Sequence, residues 1–174
     1  MNAIRGSICC YICLIIFFVI GCSAKEEDIV EIKHYPLDSL EGVINISEVR
    51  IDKEISSDQN GSLRITATKP STVRLFETGD LDIEEALLAY QAKLRSADIE
   101  GQAYIEMWCH FPGKGECFSR AFGSPLSGSN EWVSQETFFF LKAGQNPDNI
   151  KLNLVITGKG TVWIDDIYLM KKSL

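Results

Sequence analysis

From about Tyr35 to its end, the chain is a succession of short runs rich in β-branched and aromatic residues, each closed by turn residues. Val43–Ile46 and Val49–Ile51 come first. Asn60-Gly61 marks a turn before Ser62–Thr68, Lys69–Thr72 with its proline breaks the chain before Val73–Glu77, and Gly79-Asp80 breaks it again. The segment Asp82–Arg95 is ambiguous, because Glu84, Glu85, Ala86 and Leu87 favour a helix. Its neighbours favour strand, so Ala86–Arg95 is predicted as one. Ala103–Phe111, Glu116–Phe122, Glu131–Leu141, Ile150–Thr157 and Thr161–Leu169 follow. Many short strands with polar turns predict an all-β fold, an antiparallel β-sandwich.

The amino terminus is different. Arg5 precedes an apolar run from Ile8 to Ile20. A charged start, a short apolar stretch and a small residue before the cut describe an export signal. The run falls short of the roughly 20 residues that a spanning helix needs. It ends in Val19-Ile20-Gly21-Cys22, which resembles the lipobox of bacterial lipoproteins. That resemblance implies cleavage before Cys22, acylation of Cys22, and a protein held on a membrane of the cell envelope by lipid. Ser23 is not an Asp-type inner-membrane retention signal, which by the same resemblance points to the outer membrane of a two-membrane host. Residues 22–34 are charged and lack a clear period, as in a tether. Ile29, Val30 and Ile32 leave an edge strand as the alternative. The domain then spans 35–174.

Without residues 1–21 the chain carries 16 basic and 24 acidic residues, a net charge of −8. An acidic chain with no basic cluster is a poor partner for nucleic acid, whose binding depends on Lys and Arg neutralising phosphates. Membrane attachment then rests on acyl chains rather than on charge.

Cys109 and Cys117 are the pair that remains beyond the signal and Cys22. In an exported protein a disulfide is the default, worth roughly 2–3 kcal/mol for so short a loop. A metal site with His110 and a pair of free thiols are the alternatives. Pairing Cys109 directly across from Cys117 sets a register. Trp108 then faces Phe118, Glu106 faces Arg120, and Tyr104 faces Phe122. Alternation puts those six on one side of the hairpin and Ile105, Met107 and Ala121 on the other. Aromatic and opposite-charge pairs across strands each stabilise a sheet by roughly 0.2–1 kcal/mol. The aliphatic set suits the interior, together with Leu88, Tyr90, Ala92, Leu94, Leu152, Leu154 and Ile156. The outer face then carries Tyr104, Trp108, Phe118 and Phe122 among Glu106, Arg120, Gln91, Lys93 and Asn153. Flat rings among hydrogen-bonding groups suit a sugar, and the expected contacts are Tyr104, Glu106, Trp108, Phe118, Arg120 and Asn153. The competing readings are a purely structural face and an interface with an envelope protein.

The carboxy-terminal stretch sharpens the fold. Ile150–Ile156, Gly158-Lys159-Gly160 and Thr161–Ile167, with Trp132 before them, resemble the closing strands of galactose-binding-like jelly rolls. That group includes carbohydrate-binding modules. The resemblance implies a jelly-roll sandwich and a structural calcium on Asp165 or Asp166, since hard oxygen ligands suit that ion. The alternative is an acid pair capping loop amides. No other cofactor is implied.

Catalysis finds no support. There is no Gly-x-Ser-x-Gly elbow, Walker loop, dinucleotide fingerprint or HExxH motif. A non-catalytic binding domain is the expectation.

Overall fold

The computed structural model describes residues 29–173. The expected export signal, the expected lipidation site Cys22 and residues 22–28 of the expected tether lie outside the described residues. Nine strands follow in order: β1 (Ile29–Tyr35), β2 (Val49–Asp52), β3 (Ser62–Ala67), β4 (Ser71–Gly79), β5 (Ala86–Phe111), β6 (Gly115–Arg120), β7 (Leu126–Leu141), β8 (Asn149–Ile156) and β9 (Lys159–Ser173). Every pairing is antiparallel. The fold is an all-β jelly-roll sandwich. The stretch 29–34, left between tether and edge strand by its sequence, is most of β1 and pairs with β9.

β5 organises both layers. Its first half, up to Ala97, lies between β7 and β9, and β9 extends that layer to β1 and to β3–β2. Its second half, from Ala103, lies between β6 and β8, and β8 extends the other layer to β4. We call these layers sheet one and sheet two. The corner between the halves uses two left-handed backbones, Asp98 at φ +53° and Gly101 at φ +94°. The β8–β9 hairpin packs against that corner so closely that a Cβ on Gly158 would sit 1.7 Å from the Glu100 carbonyl oxygen. Only glycine, which has no Cβ, fits there.

The inner faces of both sheets form one core. Leu88, Tyr90, Ala92 and Leu94 from the first half of β5 meet Ile105 and Met107 from its second half and Leu152, Leu154 and Ile156 from β8, all fully buried. Period-two alternation predicted this set, and burying it supplies the main driving force for folding. The Tyr90 hydroxyl is also buried there and has no hydrogen-bond partner among the described residues. Burial pushes its pKa up.

Candidate functional site

The β5–β6 hairpin has the register that the cysteines set: Cys109 opposite Cys117, Trp108 opposite Phe118 and Glu106 opposite Arg120. The thiols are nevertheless both free, so no disulfide staples the hairpin in this structure. Cys109 is buried in the core, whereas Cys117 is exposed on β6. The hairpin is held without the bond, by its ladder and by the side chains on its outer face. Burial, reinforced by the neighbouring Cys117, pushes the Cys109 thiol up to about 12, which makes it a poor nucleophile.

The outer face of sheet two brings together all six expected contact residues. Across the strands, Glu106 lies between Arg120 of β6 and Asn153 of β8, and Asn153 is opposite Arg74 of β4. Trp108 lies between Phe118 and Lys151, and Tyr104 is opposite Val155. The Trp108 and Phe118 rings sit 5.1 Å apart and tilted; Tyr104 and Phe122 meet edge-on at 5.0 Å. The Arg120 guanidinium lies 4.2 Å from the Phe118 ring centre and 5.4 Å from that of Phe122. A cation over an aromatic face is attracted by the ring quadrupole, so Arg120 fixes the two exposed phenyl rings around itself.

Glu106 is the hub of this face. It is 3% exposed, and its carboxylate accepts from Trp108 Nε1 at 2.6 Å, from Asn153 Nδ2 at 3.3 Å and from Arg120 Nε. A buried carboxylate is tolerable only when paired and hydrogen-bonded, and here both oxygens are engaged. Burial divides the expected contact set. Glu106, Asn153 and Tyr104 are buried and act from beneath the surface. Arg120 bonds across Glu106, and the Phe122 ring lies edge-on against Tyr104, so these three present little surface of their own. The surface itself is made by Phe118 (49% exposed), Phe122 (55% exposed), half-buried Trp108 and Arg120, with Arg74 and Lys151 toward β4. Arg74 pairs with Glu77 and Lys151 with Glu116, so the cations of this face are balanced by acids.

Gln91 and Lys93 do not join this face. The corner in β5 turns the outward residues of its first half to the opposite side of the sandwich. There Lys93 meets the two acids expected to hold calcium. Asp165 is buried and accepts from Ser57 N at 2.8 Å and Asp166 N at 3.0 Å. Burial raises its pKa, against the lowering effect of those bonds. Asp166, at φ +48°, accepts from Lys93 Nζ at 2.7 Å and His34 Nε2 at 3.3 Å. His34 stacks on Tyr168 at 4.2 Å. Burial alone would raise the Asp166 pKa, but the bonds and charges of Lys93 and His34 outweigh it and hold the carboxyl low. The residues do not fit calcium: one acid caps a loop amide and the other already holds an ammonium. Among the described residues no group of three or more acids, histidines or cysteines is placed to hold a metal.

A cleft of about 890 Å3 opens along β2 and β3, lined by Arg50, Asp52, Lys53, Glu54, Arg64 and Thr66 among others. Its lining has charges of both signs and no aromatic ring, so it offers no platform on which an apolar ring face can stack. The chemistry of sheet two therefore outweighs the volume of this cleft.

No family model matches the chain, and no curated protein matches it. Solved structures do. The CBM22-1 xylan-binding domain of Paenibacillus barcinonensis Xyn10C superposes with a TM-score of 0.60 at 12% identity, over 87% of this chain and 99% of that one. The CBM22-1–GH10 modules of Clostridium thermocellum Xyn10B, solved with xylohexaose, match at 0.59 and 8% identity, over 83% of this chain and 28% of theirs. A family 16 carbohydrate-binding module matches at 0.56 and 10% identity, over 75% of this chain and 91% of its own. At such identities the likeness is one of fold: this chain has the jelly-roll architecture that these carbohydrate-binding modules use.

Proposed function

We propose that this protein is a non-catalytic glycan-binding domain that works at the cell envelope, held to a membrane by lipid on Cys22. Its ligand face is the outer side of sheet two. The observation that carries the reading is the exposed Phe118–Arg120–Phe122 ridge, with Trp108 beside it, fixed from below by the buried Glu106 carboxylate. Sugar rings are apolar on their faces and polar at their rims. Phenyl and indole rings accept the faces, and the Arg120 and Arg74 guanidinium groups and the Lys151 ammonium donate to rim hydroxyls. Because neighbouring acids balance those cations, the face suits a neutral glycan better than an acidic one. Pre-organisation matters here, since a ridge already locked by Arg120 loses little freedom on binding. The fold likeness to xylan-binding modules supports the same reading and makes β-linked xylo-oligosaccharides the first ligands to try.

A glycan array tests it. The wild-type chain should be retained on one class of neutral polysaccharide, and Phe118→Ala/Phe122→Ala should be released while still unfolding in one cooperative step within several degrees of the wild type. A wild-type chain that binds no glycan on the array would overturn the reading and leave a protein partner as the occupant of this face.

A further inference from the structure

The opposite side of the sandwich carries an apolar patch that glycan binding does not use. At one end of the outer face of sheet one, two rows run across four strands. Phe140, Leu87, Lys172 and Ile29 form the first row, and Phe138, Ala89, Met170 and Glu31 the second. Phe140 is 62% exposed, Ile29 56% and Phe138 45%, and the two phenyl rings meet edge-on at 5.2 Å. Lys172 is neutralised by Glu136 at 2.8 Å. The patch is thus mainly apolar, with one ion pair and the exposed Glu31 carboxylate at its β1 edge. It is also where the described chain begins. Ile29 is the first residue of β1, and seven peptide steps separate it from Cys22. Seven steps reach at most about 25 Å when fully extended.

We propose that this end of sheet one rests on the lipid bilayer, with Phe138, Phe140 and Ile29 at the boundary between headgroups and acyl chains. The inference builds on the lipid anchor of the proposed function. Three features support it. Phenyl and branched aliphatic side chains partition into that boundary, and the patch spans four strands rather than one side chain. A tether so short keeps the body within reach of the surface whatever its orientation. The patch is the apolar end that the tether joins, so apolar burial selects this orientation over the others. Net charge does not oppose it, because the contact needs no anionic lipid. The consequence is functional. Sheets one and two face opposite ways, so a bilayer under sheet one points Trp108, Phe118 and Phe122 away from the membrane, toward extended glycans.

Two reporter variants of the full chain, purified from membranes, test the orientation in phosphatidylcholine vesicles doped with brominated phosphatidylcholine. Phe140→Trp should lose much of its added emission to the bromine atoms and emit further to the blue. Phe118→Trp should be insensitive to bromolipid and open to aqueous iodide. Both sites are exposed, so both variants should melt like the wild type. Equal insensitivity at 140 and 118, or quenching at 118 alone, would overturn the proposal; the first result combined with concentration-dependent sedimentation would assign the patch to a second copy. Mass spectrometry of residue 22 reads the anchor separately. An acylated chain without quenching at 140 keeps the anchor and removes the patch. An unacylated chain that still binds vesicles with quenching at 140 does the reverse. An unacylated chain that leaves the vesicles overturns both.

Discussion

The two outer faces of the sandwich are built from the same strand and solve the same problem in different ways. Both centre on a carboxylate that cations and donors surround. On sheet two, Glu106 is buried and three side chains converge on it, with aromatic rings packed over its cation. On sheet one, Asp166 is partly open to water, and its cation Lys93 is more open still. A charge sealed under rings cannot fall back on solvent when a partner is lost, whereas one at the surface can. Sheet two is therefore the rigid face and sheet one the tolerant one, which suits a binding ridge on the first and a structural clasp on the second.

The widest contrast to test runs through the sheet-two hairpin. With its thiol raised to about 12, Cys109 should alkylate on the order of a thousandfold more slowly than an ordinary thiol from ionisation alone, and more slowly again from burial. Exposed Cys117 should react at once with iodoacetamide. Peptide mapping that finds neither thiol modified in the native protein and both released by reductant would show that the two are bonded after all.

Removing the hubs should separate the faces. Glu106→Ala strips the Trp108, Asn153 and Arg120 donors of their shared acceptor at a sealed position, so a loss of about 3 kcal/mol is expected in urea unfolding. Asp166→Asn should cost only about 1 kcal/mol, because Lys93 is re-solvated. Equal losses would erase the distinction between a sealed face and an open one. The Asp166 cost should also depend on pH. A folded pKa held below the unfolded value of about 3.9 stabilises the native state above that value, and the gain disappears as pH falls through the lower folded value. The gap between wild type and Asp166→Asn should therefore be full at neutral pH and close in acid below about pH 4; a gap that widens there would contradict the clasp. The smallest change belongs to the ridge itself. Phe118→Ala removes a half-exposed ring that accepts no hydrogen bond, so thermal unfolding should shift by no more than about 1 kcal/mol while ligand retention falls.

Much of this was legible in the chain. Alternation and the Cys109–Cys117 spacing gave the hairpin register, the inward set and the aromatic pairs, because strand geometry fixes parity once one pair is aligned. The corner was not legible. Alternation continues on both sides of Asp98–Gly101, so nothing in the period shows that Lys93 and Trp108 end on opposite sides of the body. The acid and glycine at the bend were the available signal. Parity also could not tell outward from exposed: Glu106 points outward and is buried because Arg120, from another strand, closes over it. Likewise Asp165-Asp166 suggested calcium by resemblance, and only the tertiary fold brings Lys93 and the Ser57 amide to the two carboxylates. The free thiols show the same limit, since facing positions permit a bond without making one.

On the proposed function, the outer face of sheet two is the described surface that receives a glycan. The three indole N–H signals of Trp108, Trp132 and Trp163 report on it in one NMR titration with xylohexaose, or with the best oligosaccharide from the array. The Trp108 resonance should move in a saturable way while those of Trp132 and Trp163 stay fixed. Saturable movement of Trp163, on the far side of the sandwich, with Trp108 still would contradict it.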